Sequence, residues 1–119
     1  MRDNPIKDKS YSFALKAINA FKGLQQKKEF ILSKQFLRSA TSIGANIEEG
    51  IQAQSKKDFI HKLSISQKES FETHYWIRLL RDAHYLEEQV ATELLKDCEE
   101  IQKIITAILK TAKNNIKKL

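Results

Sequence analysis

Apolar residues recur along this chain at three- and four-residue spacing in four successive stretches, as they do in helices that bury one face. In the first stretch Tyr11, Ala14, Leu15, Ile18 and Phe21 define the apolar face of a helix expected over residues 9–26. Pro5 suits a helix start or the arm before it. The polar run 25–29 makes a connection. A second helix is expected to start at Ser33, whose hydroxyl can cap the free amides of a first turn. Its face is Phe36, Leu37, Ala40, Ile43, Gly44 and Ile47. Gly44 costs about 1 kcal/mol relative to Ala inside a helix. Ser39, Ala40, Ser42 and Ala45 crowd the same stretch, and such small side chains admit a neighbouring backbone, from this bundle or from another subunit.

Residues 50–55 break the pattern. Ser55 with Asp58 resembles a capping box opening a third helix. There Phe59, Leu63, Ser66, Ser70, Thr73, Ile77 and Leu80 form a heptad-like seam with a polar middle. Ile60, Phe71, Tyr75, Trp76 and Leu79 lie off that seam, and a helix apolar on two sides has neighbours on two sides. Phe71, Tyr75 and Trp76 are therefore the candidate oligomer contacts. Residues 84–88 form the next break, and Leu94, Leu95, Cys98, Ile101, Ile105, Ile108, Leu109 and Ala112 mark a fourth helix running close to the C-terminus. Short breaks favour antiparallel neighbours. The expected fold is all-α: one domain, 1–119, built as an antiparallel up-down-up-down four-helix bundle.

Composition agrees with that reading. Three Gly and one Pro in 119 residues are too few for the turns of a β-rich fold. At 41% hydrophobic and 30% charged, the chain is too apolar for disorder and too charged for a membrane bundle. The opening MRDNPIKDKS lacks the apolar stretch of a signal peptide, which places the expected location in the cytoplasm. Recognisable chemistry is scarce. Glu-x-x-His pairs of di-iron bundles are absent, and His61, His74 and His84 are too far apart to stack as zinc ligands. Cys98 falls on the apolar face of the fourth helix, where a thiol is buried and inert. No catalytic residue, metal or cofactor is assigned, and the expected function is non-enzymatic.

Charge is more informative. The net charge is +6, and residues 1–34 alone carry eight basic and three acidic side chains. In the fourth helix six acids precede residue 101, and Lys103, Lys110, Lys113, Lys117 and Lys118 follow, as the helix dipole favours. An up-down-up-down bundle brings both termini and the connection between helices two and three to one end. That end gathers Arg2, Lys7, Lys9, Lys56, Lys57, Lys62, Lys110, Lys113, Lys117 and Lys118 against Asp3, Asp8 and Asp58, a balance of +7. It is a candidate contact for the phosphate backbone of RNA or DNA. Arg38, Arg78 and Arg81 form a competing candidate. Arg38, Asn46 and Glu49 share a polar strip on helix two that can bond to Glu72 or Arg78 on helix three.

The segments FLRSATSIGANIEEG (36–50), KKDFIHKLSIS (56–66) and ESFETHYWIRLL (69–80) strongly resemble the 23S rRNA intervening-sequence protein family. Matching positions include Arg38, Ala45, Asn46, Ile47, Glu49, Gly50, Phe59, Lys62, Leu63, Glu72, Thr73, Tyr75, Trp76 and Arg78. The resemblance spans about residues 11–113. It implies a small bacterial four-helix bundle that assembles as a homopentameric ring. It also implies kinship to the accessory protein of diversity-generating retroelements, a pentamer of this fold that binds a reverse transcriptase and nucleic acid. The expected partners are therefore other copies of the chain, RNA or DNA, and a partner protein such as a nucleic-acid enzyme, for which the oligomer would be a scaffold. The chain departs from the family pattern at Leu37, where a second Arg is common, at Gly44, where Pro is frequent, and across residues 68–71, where it reads Lys-Glu-Ser-Phe.

Overall fold

The computed structural model describes residues 4–117, with side chains through residue 116, as four helices. They are α1 (Pro5–Gln26), α2 (Leu32–Ile51), α3 (Lys56–Asp82) and α4 (Glu88–Lys117). Among the described residues there is no strand, and no helix is long and apolar enough to cross a membrane. Each helix packs on its sequence neighbours, and α1 also packs on α4, while the two diagonal pairs stay apart. Contacts across the seams run antiparallel. Ser66 Oγ donates to Ile43 O at 2.8 Å and Thr73 Oγ1 to Ser39 Oγ at 2.9 Å, so rising numbers on α3 meet falling numbers on α2. On the other side Lys9 pairs with Glu100, and Lys16 reaches Glu93 and Asp97. The result is the expected up-down-up-down bundle, 52 × 24 × 24 Å.

Helix α1 starts earlier than its apolar spacing suggests. Pro5 takes the first helical position, where its missing N–H costs nothing, and Asn4 Oδ1 accepts from Lys7 N at 3.3 Å. The face that α1 buries is also not the expected one. Ile6, Phe13, Ala17 and Leu24 enter the core, whereas Tyr11, Leu15 and Ile18 remain 60, 53 and 37% exposed. Ala14 and Phe21 lie half-buried between the two stripes. At 3.6 residues per turn these stripes point in nearly opposite directions, so periodicity alone does not say which one turns inward. Lys22 continues the Tyr11, Leu15, Ile18 line and marks it as the solvent side.

Ser33 does not cap α2. Glu29 does, from three residues before the helix. Its carboxylate accepts from the amides of Ile31 at 3.2 Å, Leu32 at 2.9 Å and Ser33 at 2.6 Å. Ser33 lies inside the first turn and donates its hydroxyl to Glu29 O at 2.7 Å, while Gln25 Nε2 donates to both Glu29 O and Ser33 Oγ. This buried knot fixes the α1–α2 connection. Ser55 caps α3 as expected, accepting from Asp58 N at 3.1 Å.

The small residues of α2 serve close packing inside the bundle. A Cβ on Gly44 would stand 3.3 Å from Ser10 Oγ and 3.4 Å from Ser10 O of α1. One on Gly50 would lie 2.9 Å from Leu63 Cδ1 of α3. The α3 seam is the buried one: Leu63, Ser66, Ser70, Thr73, Ile77 and Leu80 all face the core, with Phe59 packed at its edge. Its hydroxyls bond to backbone carbonyls and to one another, and no buried side-chain polar atom among the described residues lacks a partner.

Candidate interaction surfaces

The start of α1, the α2–α3 connection and the end of α4 do share one end of the bundle. Lys7, Lys9, Lys56, Lys57, Lys62, Lys110 and Lys113 stand there; Arg2, Asp3, Lys118 and the side chain of Lys117 lie outside the described residues. The end is less basic than expected. Glu48 and Glu49, in the last turn of α2, belong to it with Asp8 and Asp58, so seven described lysines face four carboxylates. Two of the lysines are engaged: Lys62 Nζ lies 2.9 Å from Glu49 Oε1, and Lys9 pairs with Glu100. Lys56, Lys57, Lys110 and Lys113 form no ion pair among the described residues; the first two open α3, the other two lie near the end of α4, and the chain's reversal brings the pairs to one end.

The three arginines do not form one site. Arg38, on α2, forks onto α3: one guanidinium nitrogen lies 2.8 Å from Glu69 Oε2, and the other bonds to Glu72. Glu72 Oε2 also accepts from Trp76 Nε1 at 3.0 Å. The indole bond, opposed by partial burial and aided by Arg38, holds the Glu72 carboxyl below its ordinary value. Glu72 in turn raises Arg38. Arg38 is thus a link between helices, as the polar strip predicts, with Glu69 an added partner from the departing segment 68–71. The rest of the strip behaves differently. Asn46 donates to Ser42 O at 2.8 Å within α2, and Glu49 binds Lys62. Arg78 Nε donates to His74 Nδ1 at 3.1 Å, and its guanidinium sits 5.9 Å from the Tyr75 ring centroid. Arg81 pairs with Asp82 beside it, which raises the arginine and lowers the carboxyl.

Of the aromatic candidates, Phe71 and Tyr75 are 56 and 48% exposed, whereas Trp76 is half-buried against the core. The Tyr75 and Trp76 rings meet edge to face at 5.0 Å. Phe71 and Tyr75, four residues apart, form an outer stripe on α3; Tyr11, Leu15 and Ile18 form another on α1, the helix diagonally opposite. The two come to similar heights. Cys98 Sγ donates to Ser70 O, next to Phe71, and its neighbours Glu100 and Asp97 reach Lys9 and Lys16, either side of Tyr11 and Leu15. Sequence reasoning missed the α1 stripe because it assigned those residues to the core.

The remaining chemistry is quiet. Burial pushes the Cys98 thiol up to about 12, far from a thiolate at neutral pH. His74 Nε2 lies 3.2 Å from Glu99, distant in sequence from His61 and His84.

No curated protein matches the chain. A crystal structure of a protein of unknown function from the S23 ribosomal protein family of Bacteroides thetaiotaomicron superposes with a TM-score of 0.86 at 48% identity, covering 88% of this chain and 98% of that one. Residues 2–107 match the family described as 23S rRNA-intervening sequence protein. With nearly the whole bundle inside that match, and with Arg38, Glu72 and Trp76 of the family-like segments joined in one network, the chain belongs to the 23S rRNA-intervening sequence protein family.

Proposed function

We propose that this protein is a non-enzymatic homo-oligomer of the cytoplasm whose copies stand side by side and present a lysine-rich end to the phosphate backbone of RNA or DNA. The observation that carries the reading is the gathering of Lys56, Lys57, Lys110 and Lys113 at one end without ion-pair partners among the described residues. The two outer stripes support the assembly. An α1 stripe that meets the α3 stripe of the next copy is a heterologous contact, and such contacts close into rings. The pentamer implied by the family resemblance is the expected ring. In a ring of parallel bundles every lysine-rich end lies on one face, so the charges of all copies act together.

Binding of this kind is sequence-tolerant and falls steeply with salt, because lysines act as point charges that displace counterions. Filter binding at several salt concentrations tests it. The Lys56→Ser, Lys57→Ser, Lys110→Ser, Lys113→Ser variant is expected to lose affinity and to show a shallower salt dependence. Unchanged binding would remove this end as the site and leave Arg78 and Arg81 as the alternative. Light scattering is expected to give an oligomer that Tyr75→Ser with Leu15→Ser weakens; a stable monomer at micromolar concentration rejects the ring. The exposure of Phe71 and Tyr75 favours a second reading, a scaffold for a partner protein. Failure of the intact protein to bind nucleic acid at low salt would select it.

A further inference from the structure

The end of the bundle opposite the lysine-rich one carries its own unexplained features. Phe30 and Ile31 project from the α1–α2 connection 49 and 77% exposed, and Ile31 is the most exposed large apolar side chain described. Around them the segment 26–35 exposes Lys27, Lys28 and Lys34. Its one acid, Glu29, is 8% exposed and faces inward onto three amides, so every outward charge of the connection is positive, beside the neutral Gln26 and Gln35.

Packing does not account for this arrangement. Lys34 stands in the first turn of α2, where the helix dipole disfavours a cation, and that turn holds no acid. The φ of 62° at Lys28 has a local cause, since it is the left-handed residue that ends α1, with Glu29 N donating to Leu24 O at 3.0 Å. Yet the connection is held firmly. Glu29 caps α2, Gln25 bonds across the turn, and Lys27 Nζ donates to Tyr85 O of the α3–α4 connection at 2.7 Å. A rigid turn that projects two large apolar side chains beside the exposed Lys28 and Lys34 matches the chemistry of a bilayer interface. Apolar side chains sink past the headgroups there, and the cations stay among lipid phosphates.

We propose that the α1–α2 connection is a contact for anionic lipid surfaces, with Phe30 and Ile31 inserted at the interface and Lys28 and Lys34 on the headgroups. The convex shape favours a lipid surface over a folded partner. A protein interface needs about 800 Å² of complementary surface per side, whereas a fluid interface accepts two projecting side chains without a matching pocket. The exposed acids of this end, Asp82, Glu87 and Glu88, all belong to the α3–α4 side. They tilt the contact toward the α1–α2 side. Lys27, bound to Tyr85 O, holds the two connections together rather than reaching for lipid.

Vesicle co-sedimentation of the full chain tests this, with phosphatidylcholine vesicles and with phosphatidylcholine–phosphatidylglycerol vesicles. The intact protein is expected to sediment with the anionic vesicles only, and less as salt rises. Phe30→Ser with Ile31→Ser is expected to weaken that binding roughly tenfold or more, since apolar burial at the interface is lost. Lys28→Ser with Lys34→Ser is expected to weaken it roughly tenfold and to flatten its salt dependence. The four-lysine variant of the opposite end is expected to sediment like the intact protein, which separates this contact from any nucleic-acid surface. Circular dichroism of each variant checks the fold. No sedimentation of the intact protein with anionic vesicles at low salt overturns the proposal. Equal sedimentation of the Phe30, Ile31 variant overturns it too, as does a change of that variant's mass in solution, which would assign the tip to a contact between copies.

Discussion

Removing the Glu29 carboxylate is expected to be the most costly single polar change in the protein. Three backbone amides at the start of α2, those of Ile31 just before it and of Leu32 and Ser33 in its first turn, point at it, and its residue is 8% exposed. In Glu29→Ala these amides lose a charged acceptor at a site with little room for water. A cap is worth about 1 kcal/mol and a hydrogen bond to a charged group about 1.5–3, so a loss of about 2–3 kcal/mol is expected, because the three bonds share one carboxylate and do not add fully. At about 4 °C per kcal/mol for a chain of this size, Tm falls by about 8–12 °C. Glu29→Gln keeps one acceptor oxygen but no charge, and is expected to cost about half as much. The pH dependence follows in sign. Burial pushes the carboxyl up, but the amides of Leu32, Ser33 and Ile31 outweigh it and hold it below the ordinary glutamate value. A depressed carboxyl contributes stability fully above its unfolded value and loses it as pH falls through the folded value. Thermal melts followed by circular dichroism should therefore show the gap between wild type and Glu29→Gln wide at pH 7 and closing in acid. A Glu29→Ala melt within 2 °C of wild type, or a gap that does not change with pH, would refute the capping role.

Other outcomes follow from the same geometry. Gly23 is helical with nothing within 4 Å of an added Cβ, so Gly23→Ala should stabilise by about 0.5–1 kcal/mol, raising Tm in the same melts. Gly44→Val should do the reverse by about 2 kcal/mol or more, because its side chain meets the Ser10 backbone of α1. Arg38→Ala leaves Glu69 and Glu72 facing each other and should cost about 1–2 kcal/mol, below the 3–5 of a fully buried pair because Arg38 is half exposed. The only tryptophan reports on this site: acid titration of Trp76 fluorescence should have its midpoint below the ordinary glutamate range in wild type and nearer to it in Arg38→Ala. Cys98 should resist a disulfide reagent at pH 8 in the native protein and react at once in denaturant; rapid native labelling would contradict its burial.

Most of the fold was legible because α2 and α4 each carry one strong apolar face, and the heptad-like spacing of α3 picks out its buried seam despite the apolar residues off it. The faces of α2 and α4, the α3 seam, the Ser55 cap and the two later breaks all stand where spacing put them. Helix α1 misled because it bears two apolar stripes of comparable size, Tyr11, Leu15 and Ile18 outside against Ile6, Phe13, Ala17 and Leu24 inside. Glu29 was illegible for another reason. It lies outside the helix that it caps, and only the folded turn aims its carboxylate at the amides. At the candidate surfaces, the convergence of chain segments at the basic end was legible from topology. Its local pairing was not: Glu48 and Glu49 were left out of the charge count, and their place in the last turn of α2 puts them among the lysines. The link from Arg38 to Glu72 was foreseen, and Glu69 completed it from a neighbouring turn that helical spacing makes adjacent.

The hydroxyl layer between α2 and α3 bears on how the sequence can drift. Ser66 is tied to the Ile43 carbonyl and Thr73 to Ser39, so sliding α3 by one turn would take from Ser66 its partner across the seam and leave Thr73 with only the Glu69 carbonyl of its own helix. A smooth Leu–Ile seam would bind more strongly but would fit several alignments almost equally well. In this hairpin the alignment is encoded by hydrogen bonds together with the close fit of Gly50 against Leu63. A change at Thr73 therefore calls for a matching change at Ser39, whereas Ser66 bonds a backbone carbonyl that any residue at 43 supplies.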